Sequence, residues 1–287
     1  MTVNNTVKIA VIGSINLDIV ATAQTLPAPG ETVGGATLAS YPGGKGANQA
    51  LAAQKLGASA AMVGRVGRDA HASEALVLLR ENGVDLSGVS VDSAASTGVA
   101  LIAVDARGEN QIIVAPGANA GLLPDTIPVV EADAFTLQLE TPIETVAHVM
   151  QTAKGFIAIN LAPAIPVPDI VFARADLIIV NEGEAAFYGD RLHQSDAKIA
   201  ITYGAKGAAI FQNGQEVARA AAPSITPVDT TGAGDTFVGA LVVALMEGQS
   251  DDAALRFACA AGACSAMRAG AQTSFPARDD VEPFLGD

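Results

Sequence analysis

The chain is poor in the residues that support disulfide-rich or zinc-dependent folds. Its 287 residues include no tryptophan, two cysteines and three histidines. Cys259 and Cys264 lie close together in one alanine-rich segment, which does not suit a disulfide framework and predicts a reducing, cytoplasmic setting. The histidines are scattered and show no zinc-ligand spacing.

Positive charge is also scarce. The chain has 16 Lys and Arg against 30 Asp and Glu, a formal net charge of −14, which argues against a broad nucleic-acid surface. No apolar run approaches the ~18 residues that span a bilayer. Half of the residues are hydrophobic and only 16% are charged, so we expect a globular chain with a large core and no nucleic-acid or membrane partner.

Short β-branched runs alternate with alanine- and leucine-rich stretches along the chain. This alternation predicts a mostly parallel central sheet with helices on both faces, a three-layer α/β/α fold within one domain over residues 1–287. The predicted strands are 8–13, 60–63, 134–139, 156–159, 177–180 and 199–202. The predicted helices are 44–56, 69–81, 142–152 and 234–247. Asn213-Gly214 predicts a hairpin whose following strand leads to Val228.

Two segments interrupt this alternation. Residues 18–39 and 97–114 each suggest a pair of extended strands without a crossover helix. Together they predict a small separate sheet, formed by about 16–40 and 96–115, that covers a substrate as a lid. Because both faces of this sheet are largely apolar, the outer face predicts a homodimer through lid-to-lid contact.

A glycine-rich turn opens a helix at VDTTGAGDTF, residues 228–237. Such a turn directs free backbone N–H groups and the positive end of the helix dipole at one point, which suits a phosphate or a developing phosphoryl charge. Asp235 lies inside the turn, where a carboxylate could accept a proton from a hydroxyl. The structural alternative is that Asp235 only caps the helix.

A second glycine cluster, GGKGANQA at 43–50, also leads into a helix. It matches neither the P-loop pattern nor the dinucleotide fingerprint. Its glycines allow close approach to a ligand, and Asn48 offers both a donor and an acceptor to a polyol. A plain loop-to-helix turn with a surface lysine would have the same composition.

Taken together, these segments resemble the PfkB-type, or ribokinase, family of sugar kinases along nearly the whole chain. GGKGANQA is similar to the first family motif and VDTTGAGDTF to the second, in the expected order. Further matches are GSINLD (13–18), STGVALI (96–102), GENQIIV (108–114), PGANA (116–120), QLETP (138–142) and NEGEA (181–185).

The resemblance implies a role for each matching residue. Asp235 would be the catalytic base, beside an anion hole formed by Gly232, Ala233 and Gly234. The sugar would be held by Asn16, Asp18, Gly44, Lys45, Asn48, Glu140 and Asp235. ATP would contact Asn181, Thr202, Gly204, Lys206, Gly207, Gly234 and Cys259. Glu184 would organise Mg²⁺, and K⁺ would lie among Asp229, Thr231, Ser265, Arg268, Gly270 and Ser274.

Two departures from the family pattern concern the nucleotide side. Only ten residues, 189–198, separate NEGEAAFY from the next strand, so one crossover is shortened or lost. NLAPA at 160–164 replaces the usual NPAPA. We expect nucleotide binding to persist with an altered edge near the adenosine.

The resemblance implies an ATP-dependent kinase that phosphorylates the 5-hydroxyl of D-ribose. Aromatic residues make up only 4% of the chain, which leaves few side chains to stack a nucleobase as acceptor. The alternatives are a kinase of the same family for another sugar or a nucleoside, and, in a different class, a catalytically idle sugar-binding regulatory protein. ATP consumption would separate the last from the others.

Overall fold

Residues 6–285 are described by the computed structural model. The strands are β1 Lys8–Ile12, β2 Asn16–Thr22, β3 Thr37–Gly43, β4 Ser59–Gly67, β5 Asp85–Asp92, β6 Gly98–Val104, β7 Asn110–Ala115, β8 Ala134–Leu137, β9 Phe156–Asn160, β10 Leu177–Asn181, β11 Lys198–Thr202, β12 Ala208–Gln212 and β13 Gln215–Ala220. The helices are α1 Lys45–Lys55, α2 Ala70–Ala75, α3 Val77–Glu81, α4 Ile143–Thr152, α5 Asp169–Arg174, α6 Glu182–Tyr188, α7 Asp190–His193, α8 Ala233–Met246, α9 Asp251–Ser265 and α10 Arg278–Val281.

The large sheet has nine strands in the order β13-β12-β11-β10-β9-β8-β1-β4-β5. Strands β5 to β11 of this order pair in parallel, and β12 and β13 form an antiparallel hairpin at one edge. Successive residues of β1 point to opposite faces. Ile9 and Val11 pack with α1, α8 and α9, whereas Ala10 and Ile12 pack with α4 to α7. Both faces are therefore buried, and the predicted three-layer fold is confirmed.

The small sheet has four strands in the order β3-β2-β6-β7. β2 pairs antiparallel with β3 and parallel with β6, and β6 pairs antiparallel with β7. This is the small sheet that the two extended segments predict, and we call it the lid. Its central strand β2 follows β1 after only three residues, 13–15, so the lid begins where a core strand ends.

Three local predictions need correction. The helix predicted over 69–81 is distorted at Leu76, although Arg80 N still donates to Leu76 O at 3.1 Å. The strand after the 213–214 hairpin ends at Ala220 and does not lead to Val228, because Pro223 and Pro227 have no backbone N–H to donate to a ladder. The crossover over 189–198 is shortened but not lost, since α6 and the single turn of α7 connect β10 to β11.

Candidate active site

One edge of the large sheet brings strand ends and helix N-termini together. A cavity of about 160 Å³ opens there, between the carboxyl ends of β9, β10 and β11 and the first turns of α1 and α8. Ligands of open α/β sheets bind at this edge. The lining includes Lys45, Asn160, Asn181, Glu184, Thr202, Gly232, Gly234 and Asp235.

Asp235 lies in the first turn of α8 and is 8% exposed. Its Oδ2 accepts a hydrogen bond from Asn48 Nδ2 at 2.8 Å, and its Oδ1 accepts one from Gln49 Nε2 at 3.0 Å. Each carboxylate oxygen keeps a further lone pair, so Asp235 can still accept a proton from a ligand. Asp235 is more than a helix cap, because no hydrogen bond joins its side chain to the α8 backbone within residues 6–285.

The turn before Asp235 contains Gly232, Ala233 and Gly234, the residues of the predicted anion hole. Gly232 has φ of 77°, a conformation that only glycine adopts at low cost, and a Cβ there would lie 2.7 Å from the Phe275 ring. Ala233 N already donates to Thr230 O at 3.2 Å. Within residues 6–285, the N–H groups of Gly232 and Gly234 meet no protein acceptor, so both remain available to a ligand.

Four charged side chains share the surroundings of Asp235. Burial, with Glu140 and Asp235 nearby, raises the pKa of Asp18 to about 6. Asp235 is the main cause that raises the pKa of Lys45, against the opposite effect of burial and with help from Glu140 and Glu184. The site therefore contains several carboxylates and one ammonium group. The carboxylates suit the hydroxyls of a polyol, and the ammonium group suits the phosphates of a nucleotide.

Gly43 and Gly44 lie so close to β2 that neither position has room for a side chain. A Cβ on Gly43 would lie 2.3 Å from Asp18 Oδ2. Gly44 has φ of 89°, and its Cβ would lie 2.7 Å from Asn16 N. Glu140 fixes the same turn, since it accepts from Ser14 Oγ at 2.5 Å and from Lys45 N at 3.1 Å. The predicted sugar-binding residues thus lie around one small space.

Asn181 and Glu184 form a capping box at the start of α6. Glu184 N donates to Asn181 Oδ1 and Asn181 N donates to Glu184 Oε2, both at 2.8 Å. Burial raises the pKa of Glu184, although the Asn181 N–H and the Lys45 charge act in the opposite direction. Both residues also line the cavity, so the capping role and the predicted ligand role are compatible.

The loop after β11 carries the other predicted nucleotide residues. Tyr203 N donates to Gly207 O at 2.8 Å, and a Cβ on Gly207 would lie 2.0 Å from Ala220 O. Lys206 is exposed on this loop. Of the predicted nucleotide residues, Asn181, Thr202 and Gly234 line the cavity, whereas Gly204, Lys206, Gly207 and Cys259 do not. Burial raises the pKa of Cys259 to about 11, so it is a neutral thiol.

The predicted cation residues lie in the segments 229–231 and 265–274, which a hydrogen bond joins at Asp229. Asp229 Oδ1 accepts from Thr231 N at 2.9 Å and from Thr231 Oγ1 at 2.7 Å, and Asp229 Oδ2 accepts from Gly270 N at 2.9 Å. Burial raises the pKa of Asp229, but these hydrogen bonds outweigh it and hold the pKa below its ordinary value. The Arg268 guanidinium lies 3.9 Å from a carboxylate oxygen of Asp280. Ser265 and Ser274 donate their hydroxyls to Gly262 O and Ala271 O.

Several amide side chains at the site were not assigned from the sequence. Asn119, in the PGANA segment, accepts from Ile15 N at 2.9 Å and donates to Asn16 Oδ1 at 2.8 Å, which ties the lid's first strand to the segment after β7. Gln49, Gln138 and Gln272 lie behind Asp235. Gln49 follows Asn48 in the first glycine cluster and Gln138 opens QLETP. Their place within those motifs is the sequence feature that could have identified them as site residues.

Comparison with known proteins agrees with this geometry. The family model described as "pfkB family carbohydrate kinase" matches residues 6–278. This chain belongs to the pfkB family of carbohydrate kinases. The ribokinase of Bacillus subtilis (strain 168) is 40% identical over 292 residues, which cover 97% of this chain and 99% of that protein.

Solved structures place the chain in the same family. The crystal structure of a ribokinase from Thermotoga maritima has a TM-score of 0.89 and 33% identity, and the match covers 97% of this chain and 99% of that one. The structure of Arabidopsis thaliana ribokinase complexed with ribose and ATP has a TM-score of 0.84 and 30% identity, covering 98% and 99%. The resemblance to this family and the ribokinase-like fold are confirmed, and pfkB membership makes this chain a phosphotransferase with an alcohol acceptor.

Proposed function

We propose that this chain is a ribokinase, which transfers the γ-phosphoryl group of ATP to the 5-hydroxyl of D-ribose. The observation that carries the proposal is the pairing of a buried carboxylate, Asp235, with the free N–H groups of Gly232 and Gly234 at one helix N-terminus. A base and an anion hole at the same point are what in-line phosphoryl transfer to a hydroxyl requires. The relatives named ribokinase support the choice of sugar.

The residues divide the reaction between two sides of the site. Asn16, Asp18, Asn48 and Glu140 bind the sugar hydroxyls and hold one of them against Asp235. Asp235 takes the proton of that hydroxyl as its oxygen attacks phosphorus. Gly232 and Gly234 stabilise the charge on the transferred group, with Ala233 joining if its N–H leaves Thr230 O. Lys45, which lines the same cavity as Asp235 and Glu184, attracts the anionic phosphates.

The nucleotide side is assigned on the same basis. Asn181 and Thr202 line the cavity and contact the phosphates, and Gly204, Lys206 and Gly207 hold the remainder of ATP along the loop after β11. Cys259 is a small, neutral side chain that packs against the end of β13, where its Sγ lies 3.9 Å from Ala220 O. We assign it to the adenosine side without a polar role.

A divalent cation fits the donors at Glu184. In the described part of the chain, no three His, Cys, Asp or Glu side chains gather as a closed metal site. Mg²⁺ needs no such cage, because it keeps several waters and binds through one or two carboxylates and substrate phosphates. Glu184 has one oxygen engaged by Asn181 N and faces the cavity, so it would hold a magnesium-bound water. When bound, the ion neutralises phosphate charge.

A monovalent cation fits the loops around Asp229. Potassium is held well by backbone carbonyl oxygens, and the proposed set contributes mostly backbone groups. It consists of Asp229, Thr231, Ser265, Arg268, Gly270 and Ser274. Asp229 ties two of these loops together through Gly270 N, and a cation there would stabilise the turn that carries the anion hole.

We also infer a homodimer through the lid. The face of the lid opposite to Asp18 exposes large apolar side chains. Leu38, Leu101 and Ile113 are 74%, 47% and 68% exposed, and Leu101 pairs with Ile113 across β6 and β7. A second copy of the chain would bury this patch.

The chain is proposed to act as one kinase domain in the cytoplasm. Cys259 and Cys264 are both free thiols, in keeping with a reducing compartment. Among residues 6–285, no helix has the length and apolar character of a membrane crossing.

The test is ADP formation with a panel of acceptors. Purified protein receives ATP and D-ribose, 2-deoxyribose, a hexose or a nucleoside, and we expect the highest kcat/KM for D-ribose. Asp235→Asn should lose about 10²- to 10⁴-fold in kcat while it still binds ribose in calorimetry. Asp252→Asn, on the exposed surface of α9, is the matched control.

Each alternative gives a distinct outcome. A higher kcat/KM for another sugar or a nucleoside would move the assignment within the family. Sugar binding without any ADP formation would indicate the idle binding protein. Near wild-type turnover of Asp235→Asn would refute the role of Asp235.

A further inference from the structure

A buried network of amide side chains lies behind Asp235. Gln49, Gln138 and Gln272 are 0%, 1% and 2% exposed. Gln138 Nε2 donates to Gln49 Oε1 at 2.6 Å, and Gln272 Nε2 donates to Asn48 Oδ1 at 3.1 Å. Asn48 and Gln49 then donate to Asp235. We call the two series the Gln138–Gln49 relay and the Gln272–Asn48 relay.

The donor and acceptor ends of each amide in both relays are set by the carboxylate of Asp235. An ionised carboxylate only accepts hydrogen bonds, so Asn48 and Gln49 must present their NH₂ groups to Asp235. Their carbonyl oxygens then face away, and each accepts a hydrogen bond from the NH₂ group of a further glutamine. Every amide dipole in both relays therefore has its positive end toward Asp235, and successive hydrogen bonds of this kind polarise one another.

The outer ends of both relays are buried acceptors. Gln138 Oε1 and Gln272 Oε1 have no hydrogen-bond partner in the described residues. Buried acceptors are usually satisfied, so the donor groups of both glutamines are used toward Asp235 while their own acceptors are not matched by the protein. Gln138 also excludes any side chain at position 13, since a Cβ on Gly13 would lie 1.9 Å from Gln138 Oε1.

We propose that Gln49, Gln138 and Gln272 are positioning residues that orient the carboxylate of Asp235 for proton abstraction. This inference rests on the proposed role of Asp235 as the base. Asn48 belongs to both the sugar site and a relay. Gln272 lies between Gly270 and Ser274 of the proposed cation set and acts, through Asn48, on one carboxylate oxygen. Gln138, which directly follows β8, acts through Gln49 on the other.

The test separates kcat from KM. Gln49→Met keeps the shape of the side chain and removes its donor, so kcat should fall about 10- to 100-fold, with the KM values for ribose and ATP within about threefold of wild type. Gln138→Met and Gln272→Met should each lower kcat by a smaller factor. Gln151→Met, on the exposed surface of α4, is the matched control.

A double-mutant cycle then tests the connectivity. Gln138→Met should cost little more once Gln49 is Met, because it acts through Gln49. Gln272→Met should keep its full effect in that background, because it acts through Asn48. Wild-type kcat in Gln49→Met, or independent effects of Gln49 and Gln138, would overturn the proposal, as would losses that parallel a fall in melting temperature.

A second readout does not require turnover. In ¹⁵N spectra, Asp235→Asn should shift the side-chain NH₂ signals of Gln138 and Gln272, which do not contact residue 235. Unchanged signals at both would overturn the relays. If the wild-type protein phosphorylates no sugar, the proposed function fails, and this spectrum still decides whether the relays exist.

Discussion

Asp18 should oppose folding and favour sugar binding at the same pH. Its pKa is raised from an ordinary 3.8 to about 6, mainly by burial and then by Glu140 and Asp235. The folded protein thus holds this proton more tightly than the unfolded chain. Its contribution to stability is full below about pH 4 and is lost as the pH rises through 6.

The magnitude follows from the pKa difference. At 1.36 kcal/mol per pKa unit, the ionised Asp18 costs up to about 3 kcal/mol above pH 6. Asp18→Asn removes this charge and keeps the shape. At pH 7.5 it should raise the free energy of unfolding by about 1–3 kcal/mol, or roughly 2–8 °C in melting temperature, and at pH 4 the gain should vanish.

The same substitution should harm sugar binding. An ionised carboxylate can accept from two neighbouring hydroxyls, so Asp18→Asn and Asp18→Ala should each weaken ribose by about 2 kcal/mol, roughly 30-fold in KM at pH 7.5. In the wild type, the KM for ribose should rise as the pH falls through about 6, and in the variants it should not follow that transition.

Thermal melts at two pH values and steady-state kinetics with each substrate varied provide the measurements. Asp252→Asn again serves as the control. The reasoning is refuted if Asp18→Asn lowers the melting temperature at pH 7.5, or if the constants for ribose and ATP move together. Equal use of ribose and 2-deoxyribose by the unmutated protein would also contradict it.

Three further changes test other parts of the site. Gly43→Ala should raise the KM for ribose about tenfold without changing that for ATP, because the new Cβ would lie 2.3 Å from Asp18 Oδ2; steady-state kinetics decides. Glu184→Gln should raise the Mg²⁺ concentration needed for half-maximal rate several-fold at constant ribose KM, and an unchanged magnesium titration would remove it from the metal site. Ile113→Lys should convert the dimer to a monomer in light scattering at micromolar concentration, and a wild-type monomer would exclude the lid-to-lid contact.

The large sheet could be predicted because its strands are buried on both faces and therefore form continuous apolar runs. Strand β5 could not, since Asp85–Asp92 has only exposed and half-buried positions at the sheet edge and contains Ser, Asp and Gly. The end of β13 at Ala220 reflects Pro223 and Pro227 further along the chain, whereas the hairpin signal at 213–214 carries no information about the length of the strand.

The candidate site could be predicted in its glycines and carboxylates but not in its amides. Glycine clusters before helices and an embedded Asp235 have a local physical meaning. Gln138 and Gln272 acquire theirs only through partners 89 and 224 positions away, and a lone glutamine carries no pattern of its own. The engagement of Ala233 N by Thr230 O is equally invisible in sequence, because it depends on the conformation of a single turn.

The position of Asn119 has a mechanical consequence for the lid. Its amide holds Ile15 and Asn16 at the entrance to β2, and the adjacent Ala118 N donates to Ser96 O at 2.7 Å, just before β6. The chain passes between the lid and the core at four places. These hydrogen bonds join three of them, at residues 15–16, 96 and 118–119, and the fourth, at Gly44, packs against Asn16 N. Hydrogen bonds of one short segment, 118–119, thus hold the entrances of two lid strands in place. Because β2 also carries Asn16 and Asp18, a change at Asn119 should disturb the sugar side of the site from a distance.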